Sequence, residues 1–87
     1  MADQLRLDKF LWFARIAKSR SLAQALIEGG RIRRNGQPAL RASTMVRPGD
    51  VLTFAQRGVV RVLRIEMLPL RRGPPAEARA LYSELEG

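Results

Sequence analysis

The sequence has no cysteine and no histidine. Without cysteine there is no disulfide and no thiolate metal site. Without histidine, the usual general base near neutral pH and the commonest metal ligand are both missing. The eight acids are scattered, with no pair at a spacing suited to acid–base work, and no glycine loop of the nucleotide-hydrolase type is present. We expect no enzymatic activity, no cofactor and no metal. No apolar run approaches the roughly 18 residues of a membrane-spanning helix. Asp3, Arg6, Asp8 and Lys9 interrupt the N-terminus where a signal peptide would be apolar. A cytoplasmic protein without a membrane partner is expected. Aromatic residues are few, at 6%, and none form the pairs on which single-strand binders stack bases.

What is abundant is arginine. Sixteen basic residues stand against eight acids, for a net charge of +8 over 87 residues, and only Lys9 and Lys18 are lysines. Residues 1–41 hold nine bases and three acids, a balance of +6; residues 42–87 hold seven and five, a balance of +2. The planar guanidinium fork matches phosphate oxygens two at a time and can stack on bases. A domain this basic is expected to bind polyanions. The hydrophobic fraction of 46% suits a small globular core.

Residues 6–17 have the apolar spacing of a helix, with Leu7, Phe10, Leu11, Ala14 and Ala17 on one stripe. Trp12, Phe13 and Ile16 fall on the opposite face with Lys9, so a second element is expected to cover them. Trp12 is read as covered core in preference to a base-stacking platform. A second helix starts at Ser19 or Ser21, the latter with Gln24 fitting a capping box. It carries Leu22, Ala23, Leu26 and Ile27 on its stripe and stops at Gly29-Gly30. Lys18 and Arg20 bracket its N-terminus, where free N–H groups and the positive dipole pole favour a phosphate.

Arg31–Arg34 reads as a short strand with Ile32 inward. Asn35-Gly36 signals a type I′ turn, and Gln37–Leu40 returns with Pro38 limiting it to an edge. Arg34 lies on the inward phase, so a snorkelling side chain or a bulge is expected. Residues 41–47 are a loop or weak strand, Arg47–Asp50 a turn, Val51–Phe54 a strand and Arg57-Gly58 a turn. Val59–Leu68 is the longest strand expected, with a bulge between Val62 and Leu63 where its apolar phase flips. After a linker at 70–75, residues 76–86 read as a helix with Ala78, Leu81, Tyr82 and Leu85 on one stripe, the expected cover for Trp12 and Ile16.

These segments carry a pattern. Arg6-Leu7-Asp8-Lys9, Ser19-Arg20-Ser21, Leu26-Ile27, Gly30, Ile32, Asn35-Gly36 and Pro48-Gly49-Asp50-Val51 together resemble the RNA-binding domain of ribosomal protein S-four type, or αL motif, over residues 6 to about 56. The run Arg6–Trp12 and the later Arg71–Ala78 with Leu81-Tyr82 resemble one subfamily of it, the ribosome-associated heat-shock protein fifteen. The resemblance implies an α+β fold: two N-terminal helices on a small, mostly antiparallel sheet. To this we add a C-terminal helix packed on the first. Residues 1–69 would form the RNA-binding domain, with 70–87 a linker and helix in the same unit. It also implies binding of structured ribosomal RNA on the large subunit, with tRNA there as a further partner, in ribosome rescue or the heat-shock response. Site residues carried over are Lys9, Lys18, Ser19, Arg20, Arg31, Arg33 and Asn35; Arg15 joins them on charge and geometry, and Arg34 as part of the arginine run.

The family usually has an aliphatic residue at the position of Arg34. Subfamily members known for ribosome rescue continue into a long basic tail, whereas this sequence stops at Gly87, so a role without tail contacts is expected. The alternatives are an accessory module that brings an RNA-modifying enzyme to RNA, or a ribosome assembly factor. DNA is expected to bind more weakly than RNA, and the protein is expected to be a monomer.

Overall fold

The computed structural model describes residues 3–85. Its elements in chain order are β1 (Leu5–Arg6), α1 (Leu7–Phe13), α2 (Arg20–Glu28), β2 (Ile32–Arg34), β3 (Gln37–Pro38), β4 (Met45–Val46), β5 (Val51–Gln56), β6 (Val59–Ile65), α3 (Pro75–Arg79) and β7 (Tyr82–Glu84). The architecture is α+β. A five-stranded antiparallel sheet has the order β3-β2-β5-β6-β7, and β1 pairs β4 in a separate ladder. One buried cluster joins Leu7, Phe10 and Leu11 of α1 and Ala23 and Ile27 of α2 to Ile32, Leu52, Phe54, Leu63 and Ile65 of the sheet.

The first helix is shorter than its apolar spacing predicts. It stops at Phe13, and Arg15 takes φ of 61°. The N–H groups of Ile16 and Ala17 both donate to the Leu11 carbonyl, which folds the chain back and buries both side chains. A glycine would ordinarily mark such a turn, so the sequence gives no sign of it. The second helix is capped by Ser19, whose hydroxyl accepts from the Leu22 N–H at 3.1 Å. The Ser21–Gln24 capping box is not used; Gln24 donates to Asp8 instead. Leu22, expected on the buried stripe, is 56% exposed.

Both hairpins turn on residues of positive φ: Asn35 and Gly36 at 52° and 84°, Arg57 and Gly58 at 54° and 78°. That pair of values is the type I′ turn. Arg34 pairs in regular register with Leu52, so no bulge relieves its inward phase; an ion pair with Asp50 does. The bulge expected in β6 is also absent, because pairing runs unbroken from Val51↔Arg64 to Gln56↔Val59. The strand ends at Ile65. Its buried phase is Leu63 and Ile65, continued by Arg61 rather than by a valine; Val60 is 67% exposed. The Arg61 guanidinium lies 5.6 Å from the Phe54 ring centroid and 5.9 Å from that of Tyr82, which lets a cation occupy an inward position.

The C-terminal helix expected over 76–86 is a correction. Only Pro75–Arg79 is helical, and Tyr82–Glu84 adds a strand to the free edge of β6 in the register Ile65↔Tyr82 to Leu63↔Glu84. The cause is hydrogen bonding: the N–H groups of Glu66 and Met67 both donate to the Leu81 carbonyl, and Leu85 N–H donates to Val62. A short isolated helix satisfies fewer groups than an edge that needs pairing. Glu86 lies outside the described residues. Contact with the end of α1 is made by the linker: Arg72 Nε donates to the Trp12 carbonyl at 3.1 Å, and Arg15 Nε to the Gly73 carbonyl at 2.6 Å. Ile16 is buried, while Trp12 is half-buried against Phe13.

Candidate nucleic-acid interface

Two aspartates organise the basic half of the chain. Asp8, on the first turn of α1, is fully buried. It accepts from Arg6 through both Nε and Nη2 at 3.1 Å, from the Lys9 backbone N–H at 2.8 Å, from Arg20 Nε at 3.2 Å and from Gln24 Nε2 at 3.1 Å. The start of α2 is thereby tied to the start of α1. Burial alone would raise the Asp8 carboxyl, but the donors Gln24, Arg6, Arg20 and the Lys9 N–H outweigh it and hold it below the usual carboxylate value.

Asp50, in the turn before β5, plays the same part for the hairpin. It accepts from Arg34 Nε at 2.9 Å, Asn35 Nδ2 at 3.1 Å and the Arg47 N–H at 3.0 Å. Asn35 completes the link by accepting from the Val51 N–H at 2.8 Å. Here too burial raises the carboxyl while Asn35, the Arg47 N–H and Arg34 lower it, and the net direction is down. The loop 41–44 connects the two aspartate sites. Its Ala42 carbonyl accepts from the Asp8 N–H. Its Arg41 and Thr44 line a hollow of about 450 Å³ together with Arg34 and Asn35.

The nine residues singled out from the sequence fall into several settings. Arg20 sits on Asp8; Arg34 and Asn35 sit on Asp50. Lys18 lines a second hollow with Leu22, Leu26 and Arg57, beside the Ser19 cap. Lys9 lines an apolar groove with Leu5, Phe13, Leu68 and Leu70. Arg33 donates from Nη1 to the Gly36 carbonyl at 3.2 Å, and Arg15 is turned onto the linker. Among the described residues, the side chains of Lys9, Lys18 and Arg31 have no protein hydrogen-bond partner or counter-ion.

Sequence reasoning passed over four residues that the structure places beside these predicted site residues: Arg6 and Asp8 with Arg20, Arg41 with Arg34 and Asn35, and Arg57 with Lys18. The sequence reading uses Arg6 and Asp8 only as motif letters and as charges that exclude a signal peptide, Arg41 as loop and Arg57 as turn. The signal available for Asp8 was an acid in the middle of the most basic half, within a helical turn of two cations. Nothing in the sequence links Arg57 to Lys18, since the β5–β6 turn must first be folded against α2.

A set of arginines held by buried acids beside a capped helix start suits a phosphate-rich ligand. The S4 domain profile matches residues 5–52. Heat shock protein 15 of Escherichia coli K12 is 40% identical over 83 residues, covering 95% of this chain, which spans 62% of that protein's length. The RQC P-site tRNA stabilizing factor of Listeria innocua is 38% identical over 86 residues, covering 99% of this chain and 91% of that protein. A solved trimeric structure of Vibrio cholerae heat shock protein 15 superposes with a TM-score of 0.89 at 40% identity, covering 94% of this chain and 82% of that one. From the match through both helices and the first hairpin, and from these relatives, we conclude that the chain belongs to the S4 domain family.

Proposed function

We propose that this protein binds structured ribosomal RNA on the large ribosomal subunit, next to tRNA, and acts there in ribosome rescue or recycling. The observation that carries the reading is the set of cations in the first half: Lys9, Lys18 and Arg31 without protein partners, and Arg20 and Arg34 with their terminal nitrogens unengaged among the described residues. Rigid spacing of such groups selects a folded polyanion by shape, because the deep groove of A-form RNA hides its base edges. The tRNA partner is supported by the name of the Listeria innocua relative, which this chain matches almost end to end. If about five phosphates are neutralised, log affinity falls with log salt at a slope of roughly −3.5 to −4.5.

The test is co-sedimentation with purified large ribosomal subunits. The double variant Arg20→Glu, Arg31→Glu, folded by circular dichroism, is expected to leave the subunit fraction entirely; unchanged co-sedimentation overturns the reading. Binding to mature subunits with no other protein present also separates this role from an accessory module for an RNA-modifying enzyme or an assembly factor. The trimer of the Vibrio cholerae relative stands against the monomer expected from the sequence, and sedimentation of the free protein decides between them.

A further inference from the structure

We propose that Asp8 and Asp50 are positioning residues for RNA recognition: each grips one arginine by its Nε so that the two terminal nitrogens are held facing outward for a phosphate. The inference rests on the RNA-binding reading above and names the device that presents its cations.

Three observations carry it. The first is the burial polarity. Asp8 and Asp50 are the buried charged side chains of the described residues. Their side chains are 0% and 10% exposed, against 38% for Arg20 and 34% for Arg34. An approaching phosphate therefore meets the guanidinium and is shielded from the carboxylate. The second is the choice of donor atom. Arg20 and Arg34 give only Nε to their aspartates, and no protein acceptor takes their Nη atoms among the described residues. Arg6, on the same Asp8, instead gives Nε and Nη2 together. The bidentate fork of Arg6 ties the carboxylate in place; the single Nε contact of Arg20 leaves a fork free for a second anion. The third is saturation. Asp8 takes five donors and Asp50 three, so neither carboxylate can swing toward solvent without losing several bonds at once.

Both arginines lie at places the fold makes rigid. Arg20 is the first residue of α2, directly after the Ser19 cap, and Arg34 ends β2 at the type I′ turn. The two aspartate sites sit on either side of the loop 41–44, through the Asp8 N–H to Ala42 bond and the hollow that Thr44 shares with Arg34. A guanidinium oriented in advance loses less freedom on binding than one on a free stem.

The inference has a sign that simple charge does not. Removing an acid from a +8 protein should tighten binding to RNA on electrostatics alone. Here, Asp8→Asn is expected to weaken the affinity for purified large ribosomal subunits about tenfold, the worth of one charge-assisted hydrogen bond. Asp50→Asn is expected to do the same. In an Arg20→Gln background Asp8→Asn costs no further affinity, because its effect runs through Arg20. Arg20→Lys keeps the charge but has one nitrogen in place of three, so it cannot hold the aspartate by one nitrogen and offer a two-nitrogen fork to a phosphate; it is expected to lose affinity severalfold and covers the case in which Asp8→Asn does not fold. Folded Asp8→Asn and Asp50→Asn that bind as tightly as wild type or tighter, or Arg20→Lys at wild-type affinity, overturn the inference. Wild-type protein that fails to bind the subunits overturns the RNA reading itself and the inference with it.

Discussion

Two kinds of ion pair join arginine to acid in opposite ways in two regions of the molecule. Around the start of α2 and the β2–β3 hairpin the acid is inside and the arginine outside, at Asp8–Arg20 and Asp50–Arg34. Across β6 and β7, Arg61 is the more buried partner and Glu84 the exposed one, at 22% and 53%. Arg61 also gives every side-chain nitrogen to the protein, to Glu84 and to Gln56, while its plane lies near Phe54 and Tyr82. The same residue type thus presents charge in one region and seals the sheet in the other. What differs is the neighbour: a carboxylate beneath the arginine pushes it out, and aromatic rings draw it in.

That contrast can be broken by stability measurements. Asp8→Ala strands Arg6, Arg20 and Gln24 at once and is expected to cost about 3 kcal/mol in urea unfolding. Glu84→Ala removes an exposed partner and is expected to cost under about 1 kcal/mol. Equal losses would mean that the burial polarity has no energetic content. Acid sharpens the same point. The Asp8 and Asp50 carboxyls are held below the ordinary aspartate value of 3.8, so their contribution is complete above that value and is lost as pH falls through their lower folded values. Asp8→Asn should therefore trail wild type at pH 7 and converge with it as acid titrates the lowered Asp8 carboxyl; a constant gap contradicts the linkage.

Smaller effects follow from β6. Arg61→Met keeps the stem over Phe54 but drops the ion pair, and is expected to cost about 1 kcal/mol without changing affinity for the large subunit. Val60→Thr is expected to stay within about 0.5 kcal/mol of wild type, since Val60 is largely exposed. A cost near that of a buried residue would restore the bulge and inward Val60 that the sequence suggested.

The elements with local signatures were legible. Ser19, Gly29-Gly30, Asn35-Gly36 and Arg57-Gly58 each state a cap or turn in two or three residues, and the structure uses all of them. What was hidden depends on partners distant in sequence. Residues 82–84 have a helical stripe and become a strand because β6 has an open edge. Arg15 ends α1 in a conformation that its own side chain does not favour. The candidate site divides along the same line. Its cations were visible as charge, but which are free and which are held could not be read without Asp8 and Asp50 in place.

The central claim is that RNA is gripped by the arginines of the first half and not by net charge. Its most direct test is the salt dependence of affinity for large ribosomal subunits in two variants of equal charge. Arg20→Gln with Arg34→Gln is expected to flatten the log–log slope by roughly 1.4 to 1.8, the loss of two phosphate contacts. Arg64→Gln with Arg71→Gln, whose acids Glu66 and Glu77 are exposed, is expected to leave the slope at its wild-type value. Equal flattening by both pairs would contradict the account, because the protein would then be binding through its total charge.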